Sequence, residues 1–388
     1  MQKQIKFIDT LTPLRGLAAI WVVVFHFDAF LGGPKGTGLF NHESTMLVGN
    51  GYLLVDFFFL LSGFVICHVY GEKLINRNSG NIKKYVWARF SRLYPLHVFA
   101  LLFLFAQFLF FSAMSSEYYE GWKGFFPVPD FFVYLFFGQS SGILSDYSWN
   151  LPSWSIAAEW WTYLIAIFII PYVNKGYSKM TYVFWALSLA GLLILIQYGG
   201  KGNLDYTLSY GTLRCLFEFT LGLGIYQVYK KVKDTNSFWK SDWAFYISVF
   251  GAYLFLHLNL NDVLVIIFFG AIILSASLNQ GIPYRILNIK PLKFLGDISY
   301  SVYLLQLFWL SLWSTYRYIN YPEGTVLDMT TKLTMLAVLL ALLIGNAYLT
   351  YRFIELPGQR FLRNKFKKKQ ADVQEPEAIP VKADDSDK

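Results

Sequence analysis

An arginine and a histidine lie eleven residues apart in the first apolar run of this chain, at Arg15 and His26. On a helix of 3.6 residues per turn, that spacing ends about 20° past three full turns. Both side chains therefore share a face, about 16 Å apart along the axis. A guanidinium recognises phosphates through a planar fork of donors. An imidazole picks up and returns a proton near neutrality. Ionisable groups inside apolar runs are costly, so each is a candidate for function. Plainer readings stand beside these. Arg15 can reach back to headgroups at a membrane surface, and His26 can simply hydrogen-bond a neighbouring helix.

A second basic pair, Arg89 and Arg92, closes the segment 83–92. Three residues apart on a helix, the two point the same way and form a clamp suited to phosphates. The competing reading is ordinary basic charge flanking a membrane span. The segment 150–163 carries Trp154, Ser155 and Glu159. Glu159 falls about one and a half turns inside its run. A carboxylate there can orient a histidine or hold an incoming hydroxyl, or it can be half of a buried ion pair. Trp149, Trp154, Trp160 and Trp161 offer stacking faces in and beside the same segment. Asp56, inside the second apolar run, joins Trp154 and Ser155 as a candidate for binding a substrate. Arg214 and Glu218, four residues apart, can pair with each other. Neither His-Glu-x-x-His nor Cys-x-x-Cys occurs, and Cys67 and Cys215 both sit in apolar runs, so no metal is expected.

What must position these groups follows from composition. Of 388 residues, 55% are hydrophobic and 15% charged, with a mean hydropathy of +0.40. Soluble chains run at about 45–50% apolar and 25% charged. A soluble enzyme, a disordered chain and a nucleic-acid-binding domain are excluded. Aromatic residues, at 20%, suit belts at membrane interfaces. Ten apolar runs are legible, near 14–32, 50–70, 93–113, 152–172, 181–198, 211–229, 243–258, 262–279, 298–316 and 331–352. The run 131–138 is too short to span and is expected to lie at the interface or re-enter. With the N-terminus inside, 24 of the 33 Lys and Arg fall on the inner side and 6 on the outer. The expected fold is thus an all-α integral membrane protein of about ten transmembrane helices with both termini cytoplasmic. Residues 1–365 form its membrane domain, and residues 366–388 are a polar tail expected to be disordered.

Seven segments in sequence resemble the acyltransferase 3 family of membrane acyltransferases. They are Arg15 with His26 (the family's Arg-x10-His), Val55-Asp56 through Ser62-Gly63-Phe64, Arg89-Phe-Ser-Arg92, Trp154-Ser155-Ile-Ala-Ala-Glu159, Arg214 through Glu218 to Gly222, Gly296 through Ser299-Tyr300 to Tyr303, and Tyr351-Arg352-Phe-Ile-Glu355-Leu-Pro357. The likeness runs from about Phe7 to Pro357, and it makes residues 1–365 a membrane acyltransferase domain. It implies an acyl-coenzyme A donor, commonly acetyl-coenzyme A, and no permanently bound cofactor. It also implies a hydroxyl acceptor outside the cytoplasm, chiefly a bacterial cell-surface polysaccharide, and hence the inner membrane. Many members carry a histidine where this chain has Gln306, so a general base at that position is not expected here. Some members add an extracytoplasmic hydrolase-like domain, for which 388 residues leave no space. Transfer is then expected to finish within the membrane domain or with a partner protein of polysaccharide synthesis.

On this reading Arg15, Arg89 and Arg92 hold the coenzyme A phosphates at the inner face. His26, oriented by Glu159 or another carboxylate, serves as general base or carries the acyl group covalently. Expected partners are acyl-coenzyme A, a glycan or lipid-linked sugar, and membrane lipids, with no nucleic acid. A different class remains open: a transporter or flippase for a glycan or lipid intermediate, since intramembrane polar groups mark transport paths too.

Overall fold

The computed structural model describes residues 7–31, 38–39, 44–114, 123–174, 179–321 and 325–374. Its regular elements are all helical, with no strand among the described residues. In chain order they are α1 (Leu11–Leu31), α2 (Leu54–Leu74), α3 (Ser79–Met114), α4 (Val128–Leu135), α5 (Trp154–Asn174), α6 (Lys179–Tyr198) and α7 (Gly211–Val232). There follow α8 (Asp242–His257), α9 (Asp262–Leu278), α10 (Ile282–Leu287), α11 (Lys290–Asn320), α12 (Met329–Thr350) and α13 (Leu356–Gln374), the last two joined by a π-helical turn at Tyr351–Glu355.

In six places among the described residues, the helices are long and apolar enough to cross a membrane: 11–30, 49–74, 79–113, 151–174, 179–198 and 329–366. The other four expected spans are helical as well. Run 211–229 lies in α7, whose charged Arg214 and Glu218 are wholly buried. Runs 243–258 and 262–279 become the shorter α8 and α9, of 16 and 17 residues. Run 298–316 is the middle of α11. The short run 131–138 gives the eight-residue α4. Helix α13 extends to Gln374, into the segment expected to be disordered, while residues 375–388 lie outside the described residues.

The outer helices present apolar side chains outward. Leu187, Ile194, Phe250, Ile267 and Leu349 are each at least half exposed. Water does not tolerate apolar patches on that scale, whereas lipid does. Side chains cap the starts of α8, α9 and α12. Ser241 Oγ accepts from the Ala244 N–H at 3.2 Å, and Asn261 Oδ1 from Val263 N–H at 2.9 Å.

Two close helix crossings frame the interior. At the first, α2 meets α7: a Cβ on Gly63 would strike the Phe219 carbonyl, and one on Gly222 would strike the Leu60 carbonyl. At the second, Gly16 on α1 faces the backbone at Leu295 and Gly296, and Gly296 faces Thr12 in return. Only glycine lets the backbones approach so closely. Contacts also fix relative direction. Pairs Arg15–Gly296 and His26–Gln306 advance together, so α1 and α11 run parallel. Pairs Asp56–Arg214 and Cys67–Gln227 set α2 parallel to α7. Pairs Trp87–Leu362 and Arg92–Glu355 set α3 against α13.

Candidate active site

Between α1, α2, α3, α5 and α11 lies a cavity of about 150 Å³. Its polar lining includes Arg15, Arg89, Arg92, Glu159, Tyr163 and Tyr303, with Ser62, Ser155 and Ser299 between them. Three guanidinium groups, expected from two separate segments of sequence, therefore do meet at one space. Parallel packing of α1 on α11 brings Arg15 beside the N-terminal part of α11. Helix α3 supplies the other two cations because Arg89 and Arg92 are one turn apart on its inward side.

Each cation has a distinct setting. Arg15 Nη2 donates to the Gly296 carbonyl at 3.1 Å and to Ser299 Oγ at 3.4 Å. Arg89 Nη2 donates to the Tyr70 hydroxyl at 3.3 Å, and its guanidinium lies 5.2 Å from the Tyr70 ring and 5.8 Å from that of Tyr163. Its buried Nε has no hydrogen-bond partner. Arg92 forms an ion pair with Glu355 and lies 5.1 Å from the Tyr300 ring. Glu355, wholly buried, also accepts from Ser301 Oγ at 2.8 Å. Two of the three cations are thus held by neutral groups and aromatic faces, which leaves their charge available to an anion.

Glu159 projects into the same cavity. Its Oε1 accepts from Ser62 Oγ at 2.5 Å and from the Tyr163 hydroxyl, and these two hydroxyls lie 2.8 Å apart. Glu159 is therefore set against α2 and its own helix. The partner of His26 is instead an amide: its Nδ1 lies 2.9 Å from Gln306 Oε1. An orienting carboxylate was expected, and a neutral amide oxygen takes that place. His26 does not line the cavity. Tyr303, one turn before Gln306 on α11, does, with the Phe58 ring 5.9 Å away. The Tyr303 hydroxyl meets Ser155 Oγ at 2.8 Å.

Asp56 and Trp154 lie elsewhere. Asp56 is fully buried and takes Arg214 in a two-pronged pair, Nε to Oδ1 at 2.6 Å and Nη2 to Oδ2 at 2.5 Å. Glu218, the expected partner of Arg214, stands at 3.8 Å. Trp154 is 6% exposed and packs 5.5 Å from the Arg214 guanidinium. Together Asp56 and Trp154 enclose a buried cation. Trp149 is likewise wholly buried, whereas Trp161 is 40% exposed. Ser155 does line the cavity. Sequence reasoning gave no role to Tyr163, Tyr300, Tyr303 or Glu355. The first is four residues after Glu159 and so on its face; the others could be placed only by knowing which helices pack.

Among the described residues no cluster of His, Cys, Asp or Glu is arranged to hold a metal ion. A family model described as an acyltransferase domain matches residues 8–352. The chain is 31% identical over 169 residues to acyltransferase MdmB of Streptomyces mycarofaciens, a match over 42% of this chain and 39% of that one. It is 25% identical over 383 residues to the peptidoglycan O-acetyltransferase OatA of Listeria monocytogenes, covering 91% of this chain and 56% of that protein. Over a short stretch of 101 residues it is 40% identical to protein 2 in the picA locus of Rhizobium radiobacter, 26% of this chain and 44% of that one. The chain thus spans about half the length, or less, of the curated relatives it matches. No solved structure matches it.

Proposed function

Because the chain belongs to the acyltransferase 3 family, we propose that it is an O-acyltransferase of the membrane. It takes an acyl group, in the simplest case acetyl, from cytoplasmic acyl-coenzyme A and passes it to a hydroxyl of an extracytoplasmic acceptor. The observation that carries this reading is the convergence of Arg15, Arg89 and Arg92 on one cavity, with His26 farther along the same face of α1 as Arg15. Three cations against the carboxylates of Glu159 and Glu355, with Arg15 and Arg89 in no ion pair among the described residues, leave positive charge that suits the phosphates of coenzyme A. The pantetheine arm then runs along α1, past Tyr303, toward the imidazole.

In the transfer step His26 takes the acceptor's hydroxyl proton. The hydroxyl oxygen forms its bond to the thioester carbonyl carbon, the carbon–sulfur bond breaks, and the departing thiolate recovers the proton. Bacterial cell-surface polysaccharide is the acceptor class we favour. The Listeria relative, a peptidoglycan O-acetyltransferase by name, supports a cell-envelope glycan. Ten spans with both termini cytoplasmic, in a bacterial inner membrane, complete the reading. The first and ninth spans, in α1 and α11, run parallel, as do the second and sixth, in α2 and α7. That parity supports alternating spans, and the lysine and arginine bias supports the orientation.

The direct test is reconstitution. Vesicles holding the purified protein receive labelled acetyl-coenzyme A on one side and cell-envelope glycan on the other, and acyl ester on the glycan is measured by mass spectrometry. Acceptor-dependent ester formation is expected. Glycan movement without ester formation would overturn the reading in favour of a transporter.

A further inference from the structure

Gln306 is wholly buried on α11 and makes two hydrogen bonds with opposite demands. Its Nε2 donates to the Tyr303 carbonyl at 2.7 Å. Its Oε1 faces His26 Nδ1 at 2.9 Å. A backbone carbonyl can only accept, so the NH2 end of the amide must face Tyr303. The oxygen end is thereby committed to His26. Reversing the amide would set two oxygens 2.7 Å apart and strand buried polar atoms. An amide oxygen also only accepts, so the nitrogen facing it must carry a hydrogen. In a neutral imidazole the other nitrogen then has none.

We propose that Gln306 is the positioning residue that fixes His26 as its Nδ1–H tautomer and so presents Nε2 as the free base. This rests on the transfer reading for its consequence, but the tautomer itself does not. The chain of constraint runs from the α11 backbone, through one amide, to the proton inventory of the histidine on α1. It explains why a neutral amide suffices where a carboxylate was expected: the imidazole needs an acceptor at Nδ1, and the sign of the partner's charge is secondary. Because Tyr303 itself lines the cavity, the carbonyl that locks the amide belongs to the residue at the cavity wall.

Nitrogen-15 NMR of the detergent-solubilised, histidine-labelled protein tests this, with the His26 signals identified by their loss in His26→Gln. A hydrogen-bearing Nδ1 and a bare Nε2 are expected in the wild type. In Gln306→Leu the imidazole loses its side-chain acceptor and keeps only the Val22 backbone carbonyl on its own helix, and a shift toward mixed tautomers or the Nε2–H form is expected. Turnover there should fall about 10-fold or more, with the donor KM within about 2-fold of wild type. Gln306→Glu, buried and protonated so that its hydroxyl donates to the Tyr303 carbonyl while its other oxygen accepts from His26, should recover Nδ1–H and most of the turnover. An Nε2–H form in the wild type, or an unchanged tautomer and turnover in Gln306→Leu, would overturn the assignment. Should Gln306→Leu fail to fold, the wild-type and Gln306→Glu spectra still decide it. Activity retained by His26→Gln would sink the transfer reading while leaving the tautomer standing.

Discussion

Arg92 on α3 and Glu355 in the π-helical turn before α13 form a buried ion pair that ties the basic end of the cavity to the C-terminal helix. The carboxylate is 1% exposed and the arginine 23%. Removing the arginine strands a buried charge, so Arg92 serves structure and any ligand at once. Arg92→Ala should therefore lose about 3 kcal/mol of stability, seen as a lower Tm in detergent. Adding Glu355→Gln should restore most of it. An unaltered Tm in the single variant would show the pair to be dispensable.

Arg89 gives the cleaner test of donor binding. It is held by a phenol and two rings, and no carboxylate is left behind when it is removed. Arg89→Ala should raise the acyl-coenzyme A KM about 10-fold, the worth of a hydrogen bond to a charged group, with little change in kcat. The same substitution should change the KM less for a donor analogue lacking the nucleotide phosphates. Equal effects on both donors would reduce Arg89 to topology charge.

His26→Ala should abolish ester formation while leaving expression, membrane insertion and donor binding intact. The ring is half-buried and Gln306 holds its Nδ1, so its loss leaves that amide to rearrange. Labelled acetyl-coenzyme A binding, measured alongside turnover, separates the two functions. Full turnover in the variant would remove the imidazole from the chemistry.

How far this could be read from sequence depends on whether a contact is local. Spacing along one helix put Arg15 and His26 on one face, and both do turn toward α11. Spacing likewise aligned Arg89 with Arg92. Pairings between helices were out of reach. Arg214 has Glu218 four residues away, yet its short bonds cross to Asp56, 158 residues distant in sequence. Glu355 sits in a basic stretch of sequence, and the π-helical turn carries it inward. Gln306 stood out only as an absence of histidine, and its meaning came from the Tyr303 carbonyl beside it.

Asp56 follows from that cross-helix pair. Its carboxylate takes Nε and Nη2 of a guanidinium that is itself 0% exposed and that also donates to the Tyr52 and Tyr206 carbonyls. Asp56→Asn should destabilise the protein by about 3–5 kcal/mol, visible as a lost monodisperse peak on size exclusion or a large fall in Tm. The folded fraction should keep its acceptor KM. A stable variant with a raised acceptor KM would return Asp56 to the binding role the sequence suggested.

Gly63 tests the crossing that holds α2, and with it Phe58 and Ser62, against the cavity. A methyl there meets the Phe219 carbonyl, which is backbone and cannot swing aside. Helices α2 and α7 must separate, which also disturbs the reciprocal contact of Gly222 with Leu60. Gly63→Ala should cost about 1–3 kcal/mol and lower turnover by displacing the α2 lining. Gly345, in α12, serves as the control, because an added methyl there would find no neighbouring atom within 4 Å. Alanine at that position removes chain entropy from a helix interior and should be neutral or stabilising by about 0.5–1 kcal/mol. The contrast isolates backbone contact from helix propensity, since both positions are helical and both substitutions are identical. If Gly63→Ala matched Gly345→Ala in Tm and turnover, the α2–α7 approach would not be holding the cavity's shape.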